Sequence, residues 1–387
     1  MYLRKEQFRT WTKLCILSKQ YIKFKKNNLG VFMNRVLSNA SKKLHKNIIC
    51  DNQPFTIRKR HNMLHVCIGS EGCVFKKNGS CVMCNYGYSS LITQKEIQDL
   101  FSVLKDNEDS FSSILIGTYG SFFDTREIPQ NIFIDILNML KNLDMHTIIF
   151  ETHYSTVSKD KLNLICDILD EKEIVIELGL ESTNELILSE CLNKPIDLKE
   201  FKKAVDLIHS YSQLCVSANV FLGAPFLTSE EQIIDSLQSV VWAFNNGVDN
   251  VVIFPSNIRE NTLIDFLYAN GHYNKISDWH LFELLYRIPV KYQSKIYLSW
   301  FGDWQDKKIK NASTIQKDNK FKKLFNEYLL VEKSNDRKKM LDQFLEDCST
   351  NKDYKEFLDN ILVKSTDNLI DRLSAEHIWI KENLNLD

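Results

Sequence analysis

Three cysteines lie close together in the sequence, with a spacing that suits a metal centre. Cys73, Cys81 and Cys84 form a C-x7-C-x2-C pattern in a glycine-containing stretch that is typical of a loop. Thiolates are soft, charged ligands that bind iron well, and a [4Fe–4S] cluster normally takes four of them. Three local cysteines would leave one iron open to a substrate or cofactor. The pattern therefore predicts an iron–sulfur cluster with one open coordination position.

The spacing alone leaves two other interpretations open. Zinc sites also use C-x2-C pairs, so the thiols are compatible with an incomplete zinc site that is completed elsewhere in the chain. They are also compatible with thiols that lie close together and bind nothing. Because nothing indicates secretion, we expect reduced thiols rather than disulfides. The other seven cysteines are scattered, mostly among apolar neighbours, and favour core packing.

The cysteine loop follows a predicted strand, and the same alternation recurs along the chain. Short apolar runs typical of buried parallel strands are separated by amphipathic helices, which is the pattern of successive βα units. Six strands are predicted, at residues 63–68, 113–117, 147–151, 173–178, 215–222 and 250–255. Right-handed crossovers would curl them into an α/β fold, a partial barrel of the (β/α)6 type, with functional loops at the carboxyl ends of the strands.

Helical extensions are predicted on both sides of this barrel. Residues 1–55 form a basic extension, with helices at about 6–26 and 31–44. Residues 56–304 form the barrel core, and residues 305–387 form a lysine-rich helical appendage for which we expect no chemistry of its own.

The composition is that of a globular protein. The 387 residues are 44% hydrophobic and 26% charged. No apolar run approaches the roughly 18 residues that indicate a membrane span. Lys13, Lys19 and Lys23 interrupt the apolar pieces near the N-terminus, which argues against a signal-peptide core. We therefore expect a cytoplasmic protein with no membrane partner.

The net charge of −1 hides a strong asymmetry. Residues 1–60 contain 15 Lys and Arg but 2 Asp and Glu, whereas the remainder contains 34 and 48. A polycationic segment can follow a phosphate backbone through counterion release. It is also able to neutralise the acidic body, or to reflect a lysine-rich composition. Nucleic acid is thus a candidate partner of the N-terminal segment.

Polar groups stand at the ends of three predicted strands, on the side where the cysteine loop is expected. Gly120 and Ser121 lie in the turn after the second strand, where backbone and hydroxyl groups can approach an ammonium group. Glu151 ends the third strand, and Glu181 follows the fourth. Carboxylates there can bind a ribose diol or an amine, and ordinary solvated charge is the alternative interpretation.

Six ordered stretches resemble the radical S-adenosylmethionine (SAM) superfamily, in the branch that has a long first spacer and includes the Elongator catalytic subunit. Within that branch they are most similar to the archaeosine-synthase radical SAM subunit and its bacterial relatives. The resemblance covers about residues 60–285, and it is carried by 72–84 with Tyr86, 120–124, 151–152, 178–182, 224–228 with Glu231, and 254–257 with 262–263.

The resemblance implies a [4Fe–4S] cluster bound by Cys73, Cys81 and Cys84, with SAM on the open iron. In that family the cluster cleaves SAM reductively to a 5′-deoxyadenosyl radical, which abstracts hydrogen from a substrate. A flavodoxin or ferredoxin is the implied reductant. Tyr86 is implied to bind the cofactor, and no catalytic residue beyond the cofactor site is identified.

The same resemblance assigns further SAM contacts. Met83 would lie against the adenine, and Gly120 and Ser121 would contact the amino-acid moiety. Glu151 and Glu181 would hold other polar groups of SAM.

The implied substrate is a lysine adduct of a 7-deazaguanine base in tRNA. Two departures from the family pattern leave a small-molecule or peptide biosynthetic pathway as an alternative. The chain has Gly223-Ala224-Pro225 where the family has a lysine and paired prolines, and 300–304 lacks the family's C-terminal signature. A nucleic-acid-binding protein with a structural metal site is the alternative from another class.

Overall fold

The structure is a computed structural model that describes most of the chain. The described residues are 29–45, 53–60, 62–86, 90–194, 196–299, 319–348, 351–362 and 368–386. The helix predicted at about 6–26 and the 300–304 stretch lie outside these ranges.

Eight strands in the described residues form one sheet, and their order in the sheet is their order in the chain. Strands β2 to β8 are parallel, whereas β1 pairs with β2 in the antiparallel sense. The predicted α/β class is confirmed, with a curled, partial-barrel sheet. The strands are β1 (Phe55–Arg60), β2 (Met63–Ile68), β3 (Ser113–Thr118), β4 (Thr147–Thr152), β5 (Glu173–Glu181), β6 (Leu214–Leu222), β7 (Asn250–Pro255) and β8 (Ile296–Leu298).

Helices connect the parallel strands and extend the fold at both ends. Three of them begin with capping boxes, formed by Thr93 with Glu96, by Thr228 with Glu231 and by Ser277 with His280. The helices are α1 (Leu29–His45), α2 (Gln94–Lys105), α3 (Gln130–Lys141), α4 (Lys159–Ile168), α5 (Glu185–Glu190), α6 (Leu198–His209), α7 (Ser229–Asn245), α8 (Leu263–Ala269), α9 (Asp278–Arg287), α10 (Asn319–Leu330), α11 (Ser334–Cys348), α12 (Lys352–Leu362) and α13 (Leu369–Asn383).

The six predicted strands correspond to β2 to β7, and the sequence did not indicate β1 or β8. Strand β1 ends in Arg58, Lys59 and Arg60, so its composition is that of a charged segment rather than a buried strand. It forms because each of its residues pairs with β2 at the edge of the sheet. Strand β8 has only 3 residues, which is too short to show a recognisable pattern of apolar residues in the sequence.

An aromatic cluster lies directly behind the carboxyl ends of β3 and β4. Phe122 stacks on Phe150 with ring centroids 5.3 Å apart, and Phe133 of α3 lies 5.2 Å from Phe122. All three side chains are fully buried. Because Phe122 follows Ser121 and Phe150 precedes Glu151, packing of this cluster fixes the backbone that carries both polar residues.

The C-terminal helix α13 is tied to the barrel by polar contacts. Arg372 donates to Glu231 Oε2 at 2.5 Å, and His377 Nε2 lies 2.9 Å from the carbonyl oxygen of Glu190. His377 and Glu190 are each 1% exposed. No helix in the ranges given above is both long enough and apolar enough to cross a membrane.

Phe150→Ala tests the aromatic cluster. We expect it to lower the free energy of unfolding by about 3–5 kcal/mol, because it removes a buried ring and leaves a cavity. Val103→Ala is the control, since Val103 is 42% exposed on α2 and its truncation should cost less than about 0.5 kcal/mol. Urea unfolding followed by circular dichroism measures both, and equal shifts would contradict the assignment of Phe150 to the core.

Candidate active site

A cavity of about 420 Å³ opens where the parallel strands end. Strands β4 and β7 alternate buried and half-buried residues, and their half-buried faces contribute Glu151 and Phe254 to the cavity wall. All nine residues singled out from the sequence line this one cavity: Cys73, Cys81, Met83, Cys84, Tyr86, Gly120, Ser121, Glu151 and Glu181. The structure thus brings them together, and their roles stay predictions.

Tight turns after β2 present the three cysteines. Cys73 precedes a short 3₁₀ turn, in which Lys76 N–H donates to the Cys73 carbonyl at 3.0 Å. The N–H of Cys84 donates to the Cys81 carbonyl at 3.2 Å. The N–H of Tyr86 lies 3.4 Å from Cys84 Sγ, so the backbone already offers one hydrogen bond to that sulfur. All three thiols are free.

Burial and mutual proximity shift the thiols toward the protonated form. Burial, with Cys84 and Glu127 nearby, raises the pKa of Cys73 to about 11. Burial also raises the pKa of Cys81 and of Cys84, although Lys194 acts in the opposite direction on both. A bound metal would displace these protons, since only thiolates are strong ligands.

The donor set fits an iron–sulfur cluster, because three reduced thiols face one cavity and thiolates are the usual ligands of such clusters. No group of three or more His, Cys, Asp or Glu side chains in the described part of the chain is arranged to hold a metal ion. The fit therefore rests on the chemistry of the donors and on their shared cavity.

The turn after β3 is held by hydroxyl groups and a carboxylate. The hydroxyl of Ser121 lies 2.7 Å from that of Thr152 and 2.9 Å from that of Thr156, and it accepts the N–H of His153 at 3.1 Å. The Ser121 N–H donates to the Glu127 carboxylate at 2.8 Å. Burial raises the pKa of Glu127 to about 7, although this N–H and that of Val74 act in the opposite direction.

Glu151 occupies a cleft that a glycine keeps open. It is half-buried at the end of β4, and a Cβ on Gly117 would lie 3.0 Å from Glu151 Oε2. The missing side chain on β3 thus leaves room for the carboxylate on the neighbouring strand.

Glu181 forms a largely buried ion pair that sequence analysis did not predict. Lys194 Nζ lies 2.5 Å from Glu181 Oε1, with the two side chains 19% and 12% exposed. Glu181 adopts φ +60°, next to a register shift in β5 between Gly179 and Glu181. A Cβ on Gly179 would lie 2.7 Å from Lys194 Nζ, so the absence of a side chain at Gly179 leaves room for the ammonium group. Burial lowers the pKa of Lys194, but the neighbouring Glu181 carboxylate raises it, and the net shift is upward, so the ammonium stays charged.

Tyr86 lines the cavity and contacts both a cation and a second aromatic ring. The guanidinium carbon of Arg259 is 4.9 Å from the centroid of Tyr86, and Tyr119 meets the same ring edge-on at 5.9 Å. Burial raises the pKa of Tyr86 to about 12, so its hydroxyl stays protonated at neutral pH.

Several lining residues escaped the sequence analysis, and the signals for them differ. Asn219 is 4% exposed, and its Oδ1 accepts no hydrogen bond from any residue that the structure describes. Asn219 is a single carboxamide within the mostly apolar sequence of β6, and this pattern could have identified it as a candidate site residue. Four further residues lie on loops or turns whose conformation depends on tertiary contacts: Glu127, Thr156, Lys194 and Arg259.

Known proteins are similar in sequence to part of this chain. It is 28% identical over 237 residues to an uncharacterized protein of Methanocaldococcus jannaschii. The aligned region covers 58% of this chain and 64% of that protein. It is 25% identical over 228 residues to archaeosine synthase subunit beta of Methanosarcina acetivorans, which covers 57% of this chain and 65% of the relative. The chain resembles archaeosine synthase subunit beta. The resemblance to the archaeosine-synthase subunit, predicted from the sequence, is thereby confirmed.

The similarity to these relatives is partial, since the matches span just under two thirds of the relatives' own lengths. No known family profile matches the chain. Among solved structures, an Elp3 of the archaeon Methanocaldococcus infernus superimposes with a TM-score of 0.44 and 18% identity, over 61% of this chain and 57% of that one.

Lys194→Met tests the ion pair with Glu181. Removing the ammonium leaves a poorly hydrated carboxylate, so we expect the free energy of unfolding to fall by about 1–3 kcal/mol, less than for a fully buried pair. Lys203→Met is the matched control, because Lys203 pairs with Glu200 with the side chains 71% and 54% exposed. No measurable change is expected for the control in urea unfolding. A Lys194→Met protein as stable as the control would show that the pair does not stabilise the fold.

Proposed function

We propose that the chain is a radical SAM enzyme in which Cys73, Cys81 and Cys84 hold a [4Fe–4S] cluster. The observation that carries the proposal is that three free thiols share one cavity with the polar groups at the ends of β3, β4 and β5. When bound and reduced, such a cluster would supply the one electron needed to break the C5′–S bond of SAM, with methionine and a 5′-deoxyadenosyl radical as the products.

The residues of the chain then bind and orient SAM. The turn at Gly120 and Ser121 takes the amino-acid end, because both residues line the cavity beside the cysteine loop. Glu151 and Glu181 accept hydrogen bonds from the polar groups of SAM. Lys194 supplies a positive charge beside the thiolates, which offsets the negative charge of a thiolate-bound cluster.

Apolar and amide groups complete the wall on the side of β6 and β7. Phe221 and Phe254 are register partners on the neighbouring strands β6 and β7, and both line the cavity together with Met83. These side chains exclude water, which protects a reactive radical from side reactions. Asn219 offers a buried acceptor for a donor on SAM or on the substrate.

We propose a deazaguanine-type base in tRNA as the substrate, with a flavodoxin or ferredoxin as the reductant. Archaeosine synthase subunit beta among the relatives supports the substrate class. The 15 Lys and Arg among residues 1–60 support contact with the phosphates of tRNA.

The cluster ligands are tested by Cys73→Ala, Cys81→Ala and Cys84→Ala in one protein. Anaerobically reconstituted wild type should show broad visible absorbance and should form 5′-deoxyadenosine from SAM under dithionite, and the triple variant should do neither. Cys215→Ala is the control, because Cys215 lies near the amino end of β6, whereas the cavity lies at the carboxyl ends of the strands. Absorbance that persists in the triple variant, or is missing from the wild type, would refute the proposal.

The tRNA contact is tested in the full-length chain, because α1 contributes the buried Val36 and Leu37 to the core and a deletion of residues 1–55 would disturb it. Changing Lys19, Lys23, Lys25 and Lys26 to Gln should weaken tRNA binding. The slope of log affinity against log salt should become shallower by roughly 0.7–0.9 for each phosphate that the variant no longer neutralises.

The control for this experiment replaces four exposed lysines of the C-terminal helices and their connection by Gln: Lys322, Lys323, Lys333 and Lys339. This variant should bind tRNA as the wild type does. Equal slopes for both variants would show that the N-terminal lysines make no special contribution.

A further inference from the structure

One buried carboxylate joins the cysteine loop to the turn after β3. Glu127 is 2% exposed. Its Oε1 accepts the N–H of Val74, the residue after Cys73, at 3.1 Å. Its Oε2 accepts the N–H of Ser121 at 2.8 Å. Each carboxylate oxygen therefore holds one of the two loops that line the cavity.

A side chain at Gly120 would clash with this carboxylate. A Cβ at Gly120 would lie 2.0 Å from Glu127 Oε2 and 2.6 Å from its carboxyl carbon. Gly120 is not among the glycines with positive φ, so its backbone does not require glycine. The space that Glu127 occupies is the reason for a glycine at this position.

We propose that Glu127 is a positioning residue that fixes the cysteine loop relative to the Gly120–Ser121 turn. This inference rests on the proposed function, in which the first loop carries the cluster and the second takes the amino-acid end of SAM. Because β2 and β3 are neighbouring parallel strands, their loops leave the sheet side by side, and Glu127 sets the distance between them.

Only a carboxylate of this length satisfies both loops. Hydrogen bonds from N–H groups to an ionised acceptor are about twice as strong as neutral ones, so Glu127 holds both loops most firmly in its ionised form. Glutamine keeps one acceptor oxygen and would turn an NH₂ donor toward the other N–H group. Aspartate has the two oxygens but is one methylene shorter.

The first experiment measures thiol alkylation in the metal-free, full-length protein, with mass spectrometry resolving each cysteine. Because the Glu127 charge also raises the pKa of Cys73, rates are compared per thiolate, from their pH dependence. Per thiolate, Glu127→Ala should speed modification of Cys73 on the order of tenfold to hundredfold, because the loop opens more often without its charge-assisted hydrogen bond. Glu127→Gln should have an intermediate effect. Cys191, which is 0% exposed, should stay slow in every variant and so reports any global unfolding.

Asp235→Asn is the matched control for burial. Asp235 is 3% exposed and accepts a hydrogen bond from the Ser182 hydroxyl at 2.6 Å, away from the cysteine loop. Its replacement should leave the alkylation rate of Cys73 unchanged.

The second experiment is a double-mutant cycle between Gly120 and Glu127. Gly120→Ala alone should loosen Cys73 as Glu127→Ala does, because the new methyl group displaces the carboxylate. Adding Gly120→Ala to Glu127→Ala should have little further effect, so the two changes should be strongly non-additive. SAM affinity per cluster in reconstituted protein should fall on the order of tenfold in each single variant.

Unchanged protection of Cys73 in folded Glu127→Ala and Glu127→Gln proteins would overturn the inference, as would additive effects in the cycle. Alkylation needs no cluster, so it tests the coupling between the loops even if the wild type fails to assemble one. Absence of a cluster in the wild type would instead refute the proposed function.

Discussion

The candidate site depends on the parallel hydrogen bonding of β2 to β7, since a parallel sheet brings the carboxyl ends of all its strands to one edge. Residues far apart in the sequence, such as Cys73, Glu151 and Glu181, meet around one cavity for this reason. The aromatic cluster of Phe122, Phe133 and Phe150 packs in the core next to this edge and fixes the backbone that carries Ser121 and Glu151.

Charge compensation is the second constraint, because buried charges need partners. Glu181 is paired with Lys194, and Glu127 accepts two backbone N–H groups, from Val74 and Ser121. Glycines on the neighbouring backbone make room for these groups. The cavity therefore offers thiols, carboxylates and an ammonium group at short range, which is the chemistry that a charged cofactor such as SAM requires.

Sequence reasoning located the six central strands and the cysteine loop, because both leave local signals in apolar runs and in spacing. It also named residues that share the cavity, since strand ends follow from strand positions. It missed β1, whose Arg58 and Lys59 resemble a charged linker until pairing with β2 is known. It missed Glu127 and Lys194 because each reaches the cavity through tertiary contacts, which no local pattern encodes.

The central claim is that the three thiols leave one iron of a [4Fe–4S] cluster open to SAM. Electron paramagnetic resonance of the reduced, reconstituted protein, with electron–nuclear double resonance on SAM labelled with ¹⁵N and ¹⁷O in its amino-acid moiety, tests it most directly. The account predicts hyperfine coupling from both labels, which shows direct coordination to the cluster. A cluster signal that SAM leaves unchanged, with no coupling from either label, would contradict it.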